Sequence, residues 1–247
     1  MIDRIIAIYC ICDDFFKIQR VEPWPNIKMT DAELMTTFIV AHTDFYGNLE
    51  KARIFLQEYG YIPSMLEKSR FCRRLHKFPE SIWQKLIAYA GTKGSIFGLP
   101  NEFIVDSFPM RICQKVRINR CRLFRDAKFI GYNACRKEYF RGLKVHALVT
   151  TYGRPLTVWI TPGSVHDNRA YKERAPWIEL PKGSKTYGDN AYEDATLENL
   201  LELRGQRLIT ARKENTKRAL YIRDFLDLQG VRKVIETTIQ SNSRLNA

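Results

Sequence analysis

Three acidic residues stand at separate points in the second part of this chain, each beside a segment with a clear pattern. Asp106 ends the apolar run 103–105, and Asp189 follows the strand-like segment 185–187 and a glycine. Glu236 lies in a late segment with helical spacing. Carboxylates at the C-terminal edge of a sheet point into the crevice where α/β proteins bind ligands. This order therefore favours an α/β sheet with an acidic site at its edge.

The hydrophobic pattern changes near residue 100. Residues 1–95 have the spacing of a small all-helical region, with a helix-start signature at Thr30, and residues 91–100 have the composition of a linker. Hairpin-connected strands followed by strands that alternate with helices predict a mixed α/β sheet. The predicted elements are strands 102–106, 139–151 and 156–161, helix 167–174, strand 185–187, helix 193–203, strand 207–211 and helix 216–239. We expect the second strand to be half-buried and to pair with the third as a hairpin.

The net charge of +13 predicts a polyanionic partner, with nucleic acid as the leading candidate. Residues 1–100 are nearly neutral, with 13 basic and 11 acidic side chains. Residues 111–144 carry 11 basic side chains against two acidic ones, and residues 204–218 carry six against one. A solvated charged loop would explain such a run by itself. Its proximity to a candidate metal site favours phosphate binding instead.

Other classes of protein are disfavoured by what the sequence lacks. The six cysteines form no Cys-x-x-Cys pair, which argues against a zinc site. No secretory signal is present, and no apolar stretch approaches the roughly 20 residues that span a bilayer. We therefore expect reduced thiols in a soluble cytoplasmic protein without a membrane partner.

Each acid also has an ordinary structural interpretation. Asp106 and Asp189 could cap turns, and Glu236 could be a surface residue of its helix. Three carboxylates brought together can hold two divalent cations, which activate a water and stabilise the leaving oxygen of a phosphodiester. The ordered set favours this second interpretation.

Several stretches together resemble the DDE-type transposases of bacterial insertion sequences, members of the RNase H-like integrase superfamily. The matching stretches are Ile104-Val105-Asp106-Ser107, Tyr139-Phe140-Arg141-Gly142-Leu143-Lys144-Val145-His146, Thr161-Pro162-Gly163-Ser164-Val165-His166-Asp167, Tyr187-Gly188-Asp189-Asn190-Ala191-Tyr192 and Arg232-Lys233-Val234-Ile235-Glu236-Thr237. The resemblance covers the chain from about Phe103 onward, and the helical opening is also similar. It implies an RNase H-like mixed sheet flanked by helices.

The resemblance also implies roles for particular residues. Asp106, Asp189 and Glu236 would bind two Mg²⁺ ions, for which Mn²⁺ can substitute. Arg232 would contact a substrate phosphate, being one helical turn from Glu236. Lys144 and His166 match positions beside the site, although His166 fits a surface loop before a helix equally well. Further candidates for DNA binding are Arg111, Arg120, Arg122, Arg125 and Arg141.

The implied function is DNA cleavage at the ends of a mobile element, followed by strand transfer. The implied partners are double-stranded DNA, both terminal inverted repeats and target, and a second copy of the chain in a homodimeric synapse. Residues 1–95 would recognise the DNA ends, and residues 101–247 would form the catalytic domain. The implied location is the cytoplasm of a bacterium, at the nucleoid.

The chain departs from the family pattern at three points. Gln229 stands where relatives often have Tyr, and Asn242 and Ser243 stand where they have Lys. The sequence ends 11 residues after Glu236, which suggests a truncated catalytic domain. Two alternatives therefore remain open: a nuclease of the same fold that cuts without joining strands, and an inactive remnant that only binds DNA.

Overall fold

The computed structural model describes residues 1–19, 27–93, 100–134, 136–212, 216 and 218–231. The chain divides into two compact units, Met1–Ala90 and Gly91–Ala247. None of the helices in the described ranges is long and apolar enough to cross a bilayer.

The first unit is helical. Its helices are α1 (Ile2–Gln19), α2 (Asp31–Asp44), α3 (Leu49–Glu58), α4 (Lys68–Leu75) and α5 (Glu80–Lys93). The predicted start of α2 is confirmed by reciprocal bonds: the Glu33 N–H donates to Thr30 Oγ1 at 3.1 Å, and the Thr30 N–H donates to Glu33 Oε2 at 2.6 Å. Such a capping box satisfies two backbone donors that the helix itself leaves unpaired. α5 extends to Lys93, so the beginning of the predicted linker 91–100 is helical; residues 94–99 lie outside the described ranges.

Apolar faces of these helices pack into the core of the first unit. Ile5 of α1, Leu34 of α2, Leu56 of α3 and Phe71 of α4 are at most 2% exposed and belong to one cluster. Their burial is what stabilises helices this short, because isolated helices of about 10 residues are marginal in water.

The second unit is built on a mixed sheet. Its strands and helices are β1 (Glu102–Gln114), β2 (Ile130–Asn133), β3 (Glu138–Thr150), β4 (Pro155–Pro162), α6 (Asp167–Arg174), β5 (Lys185–Gly188), α7 (Ala195–Leu203) and β6 (Arg207–Thr210). β3 pairs antiparallel with β1, β4 and β2. β5 joins the other side of β1 in parallel, and β6 continues in parallel beyond β5. The predicted hairpin and the RNase H-like mixed α/β sheet are confirmed.

Two details of the predicted strands are wrong. β1 continues to Gln114, so Asp106 lies inside this strand rather than at its end. The long antiparallel pairing with β3, which local sequence does not reveal, extends β1. β3 is also not half-buried: Leu148 on one face and Val145 on the other are both buried. Strands covered on both faces lose the simple alternation of apolar and polar residues.

Each face of the sheet has its own apolar cluster. Phe103 and Val105 of β1 pack with Leu197 and Leu201 of α7 on one face. Tyr187 and Ile209 pack on the other with Leu228, which belongs to the helical residues 222–231. The predicted helix 216–239 starts too early: residues 216 and 218–221 are not helical, and the helix begins at residue 222. Residues 232–247 lie outside the described part of the chain.

Candidate active site

Strand register brings two of the predicted acids together. Ile104 of β1 lies beside Tyr187 of the parallel strand β5. Asp106 and Asp189 each follow two residues later. Asp106 lies on the same face of β1 as Ile104, and Asp189 is the first residue after β5, so the two acids lie near one another where the parallel pairing ends. They interact electrostatically, since the Asp189 carboxylate contributes to the raised pKa of Asp106.

A tight turn directs Asp189 toward the site. β5 ends at Gly188, and Asp189 caps the short 3₁₀ helix Asn190–Tyr192 by accepting a hydrogen bond from the Ala191 N–H at 2.9 Å. A Cβ on Gly188 would lie 3.2 Å from Tyr192 Cβ and 3.2 Å from Val105 Cγ1. The absent side chain therefore allows the turn to pack directly against β1.

Asp106 has an unusual protonation equilibrium. Burial raises the pKa of its carboxyl group from 3.8 to about 7, with smaller contributions from the negative charges of Asp189 and Asp167. The Ser107 N–H donates to Asp106 Oδ1 at 2.7 Å and opposes this rise. Near neutral pH the protein alone therefore stabilises the ionised carboxylate poorly. A bound cation would favour the ionised form.

Asp167 is a third acid beside this pair. Its Oδ1 accepts hydrogen bonds from Ser107 Oγ at 2.8 Å and from Lys144 Nζ at 3.1 Å. Lys144 Nζ also donates to the Val165 carbonyl at 2.9 Å. The network ties the first turn of α6 to β1 next to Asp106, so Asp167 and Lys144 position the residue that adjoins the candidate catalytic acid.

Two buried rings, those of Tyr192 and His146, lie near Asp167. Burial, followed by the charges of Asp167, Asp106 and Asp189, raises the pKa of Tyr192 well above its ordinary value. The buried His146 ring stacks on Trp159, with ring centres 5.2 Å apart, and its Nε2 lies 2.8 Å from Thr161 Oγ1. Burial lowers the pKa of His146 to about 4, so the imidazole is neutral at pH 7.

The other predicted site residues differ in their placement. Lys144 contacts the network around Asp106, but His166 is exposed at the N-cap of α6 and makes no capping hydrogen bond through its side chain. Glu236 and Arg232 lie outside the described residues. The residues that sequence reasoning missed are Asp167, Ser107, Tyr192 and His146. All four occur inside the stretches that carry the resemblance, but only strand register shows that they converge.

The predicted DNA-binding arginines fall into two groups. Arg111 on β1 forms an ion pair with Glu138, and Arg141 on β3 is only 7% exposed. The other three have exposed side chains: Arg120 is the last residue of the 3₁₀ helix Lys115–Arg120, and Arg122 and Arg125 follow it.

The second basic run has a structural explanation. Arg207 pairs with Asp224, and both Arg212 and Arg218 pair with the buried Glu198. Arg204 donates to two backbone carbonyls. These four arginines stabilise the fold around α7 and β6, which leaves residues 111–144 as the stronger candidate for binding DNA.

The second unit has an RNase H-like α/β fold, with Asp106 and Asp189 near one another where β5 ends beside β1. Residues 98–245 match the family model described as a transposase DDE domain. This match covers more than half of the chain, and the chain therefore belongs to the transposase DDE-domain family.

A solved structure is also similar in part. It is the cryo-EM structure of the piggyBac transposase synaptic complex with hairpin DNA, with 13% sequence identity and a TM-score of 0.38. The similarity covers 85% of this chain and 39% of that chain, so this chain spans about two fifths of that protein's length. No curated protein sequence gives a significant match.

Proposed function

We propose that this protein is a metal-dependent DNA transposase that cleaves the ends of a mobile element and joins them to target DNA. The observation that carries the proposal is the meeting of Asp106 and Asp189 beside the end of β5, in a chain of the transposase DDE-domain family. The net charge of +13 supports a polyanionic substrate.

The donor set fits Mg²⁺. This ion prefers oxygen ligands and keeps several waters, and proteins commonly hold it through one or two carboxylates together with substrate phosphates. Within the described ranges no cluster of three or more His, Cys, Asp or Glu side chains is arranged to hold a metal. We propose that Asp106 and Asp189 supply two carboxylates and Glu236 the third, for two Mg²⁺ ions or Mn²⁺. Bound there, such ions would supply water activation and charge stabilisation at the leaving oxygen.

The surrounding residues have supporting roles. Ser107 orients Asp106 through its backbone N–H, and Asp167 with Lys144 fixes Ser107. The exposed arginines of the 111–144 run would hold the DNA backbone without reading its sequence. Joining two element ends implies a homodimer in the synapse, and the helical unit is proposed to recognise those ends. The DNA substrate would place the protein at the bacterial nucleoid, in the cytoplasm.

Replacing Asp189 with Asn tests the site. The substrate is a duplex carrying the DNA that flanks the gene, incubated with Mg²⁺ or Mn²⁺. We expect Asp189→Asn to reduce cleavage by about 100-fold or more, because even outer-shell changes at metal sites cost 10–100-fold. DNA binding should change little. The matched control is Asp126→Asn, an exposed acid in the same unit, and undiminished cleavage by Asp189→Asn would exclude the assigned site.

The products distinguish the proposed reaction from its alternatives. A transposase yields joined molecules in which an element end is covalently linked to target DNA. Cleavage without joined products would instead identify a nuclease of the same fold. DNA binding without cleavage in either metal would overturn the enzymatic proposal in favour of a non-catalytic DNA-binding protein.

A further inference from the structure

A basic cavity lies at the end of the β1–β3 pairing that is remote from the acids. Its volume is about 540 Å³. Four guanidinium groups line it, and we call it the arginine pocket: Arg120, Arg122, Arg125 and Arg141. Ile118, Asn119 and Cys121 complete the lining. Nothing in the proposed chemistry of the acids uses this cavity.

Arg141 is the buried member of the pocket. Its residue is 7% exposed, and its guanidinium donates to the carbonyl of Phe124. Its Nε has no hydrogen-bond partner within the described part of the chain. A buried charged donor left unpaired is unfavourable, and an anion in the pocket would satisfy it.

The other three guanidinium groups add uncompensated charge. Arg120, Arg122 and Arg125 are exposed, and no carboxylate in the described ranges forms an ion pair with any of the four pocket arginines. The acid nearest to them in sequence, Asp126, pairs with Lys128 at 3.5 Å. Planar guanidinium forks match the oxygens of a phosphate group, and four of them around one cavity favour a strongly anionic ligand.

The loop that carries the pocket is held in shape by contacts within the protein. Phe124 adopts a left-handed backbone conformation with φ of 50°, which is unusual for a bulky residue. Its ring contacts the Phe129 ring, with centres 4.6 Å apart. The Cys121 N–H donates to the Arg117 carbonyl at 3.0 Å. The carbonyl that holds Arg141 is therefore placed in advance, which lowers the entropic cost of binding.

We propose that the arginine pocket binds a backbone phosphate of the duplex DNA on which the protein acts. This inference rests on the proposed function. Arg141 pairs with Cys113, seven residues beyond Asp106 on β1. At about 3.4 Å per residue, the pocket is roughly 24 Å from the acids along the strand. A duplex that followed β1 would advance about 3.4 Å per base pair, and the pocket would then hold it about seven base pairs from the reacting phosphate.

Binding of the full chain to a random-sequence 30-base-pair duplex tests the pocket. The double variant Arg122→Gln/Arg125→Gln changes exposed side chains only, so its fold should be retained. We expect about tenfold weaker binding at 0.1 M NaCl, the effect of losing charge-assisted hydrogen bonds. The slope of log K against log [NaCl] should fall in magnitude by about 1, which corresponds to one lost phosphate contact.

Lys137→Gln is the matched control, because it removes an exposed positive charge from the same basic run and does not line the pocket. If the control variant lost as much DNA-binding affinity per removed charge as the double variant, the proposal would be overturned in favour of general electrostatic attraction. An unchanged salt slope in the double variant would also overturn it. The variant Arg122→Lys/Arg125→Lys keeps both charges but lacks the guanidinium forks. If it restored less than half of the lost binding free energy, fork-like recognition of phosphate would be supported.

Titration with sodium phosphate separates a DNA phosphate from a free anion. If the wild type bound phosphate at millimolar concentration and the double variant did not, while both bound the duplex equally well, the pocket would be assigned to a free anion. That result would overturn the DNA assignment. The cleavage assay with Asp189→Asn tests the proposed function independently. If the wild-type chain bound duplex DNA through the pocket but did not cleave it, the proposed transposase function would be rejected and the proposed role of the pocket would be supported.

Discussion

Replacing Asp106 with Asn should make the metal-free protein more stable at pH 8 but leave its stability near pH 4 almost unchanged. The folded-state pKa of Asp106 is raised from 3.8 to about 7, mainly by burial. The favourable contribution of this group is therefore complete below pH 3.8 and is lost as the pH rises through 7. Asn resembles the protonated acid and keeps an oxygen that can accept the Ser107 N–H.

The expected size follows from the shift in pKa. A change of about three units corresponds to about 4 kcal/mol as an upper limit, at 1.36 kcal/mol per unit. Asp106 is half-buried, and solvent screening should reduce the measured difference to about 2–3 kcal/mol. For a protein of this size, that difference raises Tm by roughly 4–12 °C.

Thermal or urea denaturation in EDTA at several pH values between 4 and 8 measures the effect. Asp126→Asn is the control, because the Asp126 side chain is 70% exposed. The lowered pKa of His146 also reduces stability as the pH falls from 6.5 to about 4, but this contribution is common to both proteins and cancels in their difference. If wild type and Asp106→Asn differed by the same free energy at every pH, the burial argument would be refuted.

Four further outcomes are expected. Gly188→Ala should destabilise the fold by about 1–3 kcal/mol in denaturation, because the new Cβ meets two side chains at 3.2 Å, whereas Gly230→Ala has open space and should be neutral or slightly stabilising. The NMR signals of the His146 ring should titrate with a midpoint near pH 4, and a midpoint near 6.5 would contradict its burial. Glu198→Gln should cost about 2 kcal/mol or more in unfolding free energy, because it leaves buried ion pairs incomplete. Mg²⁺ at 10 mM should raise Tm for the wild type and not for Asp189→Asn, since ligands stabilise only a state that binds them.

Local sequence predicted much of the second unit because its signals are local. The alternation of 139–151 and 156–161 located the β3–β4 hairpin, and Gly188 with Asp189 marked the end of β5. The extent of β1 was missed, because residues beyond Asp106 become a strand only by pairing with β3. Strand pairing over a long sequence separation is a tertiary property, and the pattern within one segment does not report it.

The candidate site was predicted in part for the same reason. The apolar segments that precede Asp106 and Asp189 predict both acids as candidates, and the parallel pairing of β1 with β5 places them near one another. Asp167 was missed, although it adjoins the predicted His166 in sequence. Which of two neighbouring residues faces Ser107 and Lys144 depends on how α6 begins. The predicted Glu236 and Arg232 lie outside the described residues, so their roles stay predictions.

Composition and order along the chain determined the fold class and predicted a polyanionic partner and the two aspartates, because these predictions depend on charge and on short-range periodicity. Tertiary structure decided which basic side chains form ion pairs within the protein and which remain able to bind an anion. It pairs Arg212 and Arg218 with Glu198 and Arg207 with Asp224, whereas no carboxylate among the described residues forms an ion pair with Arg122 or Arg125, which line the pocket with the buried Arg141. A count of charges cannot make that distinction, because electrostatic pairing depends on distances of a few ångströms between residues far apart in sequence.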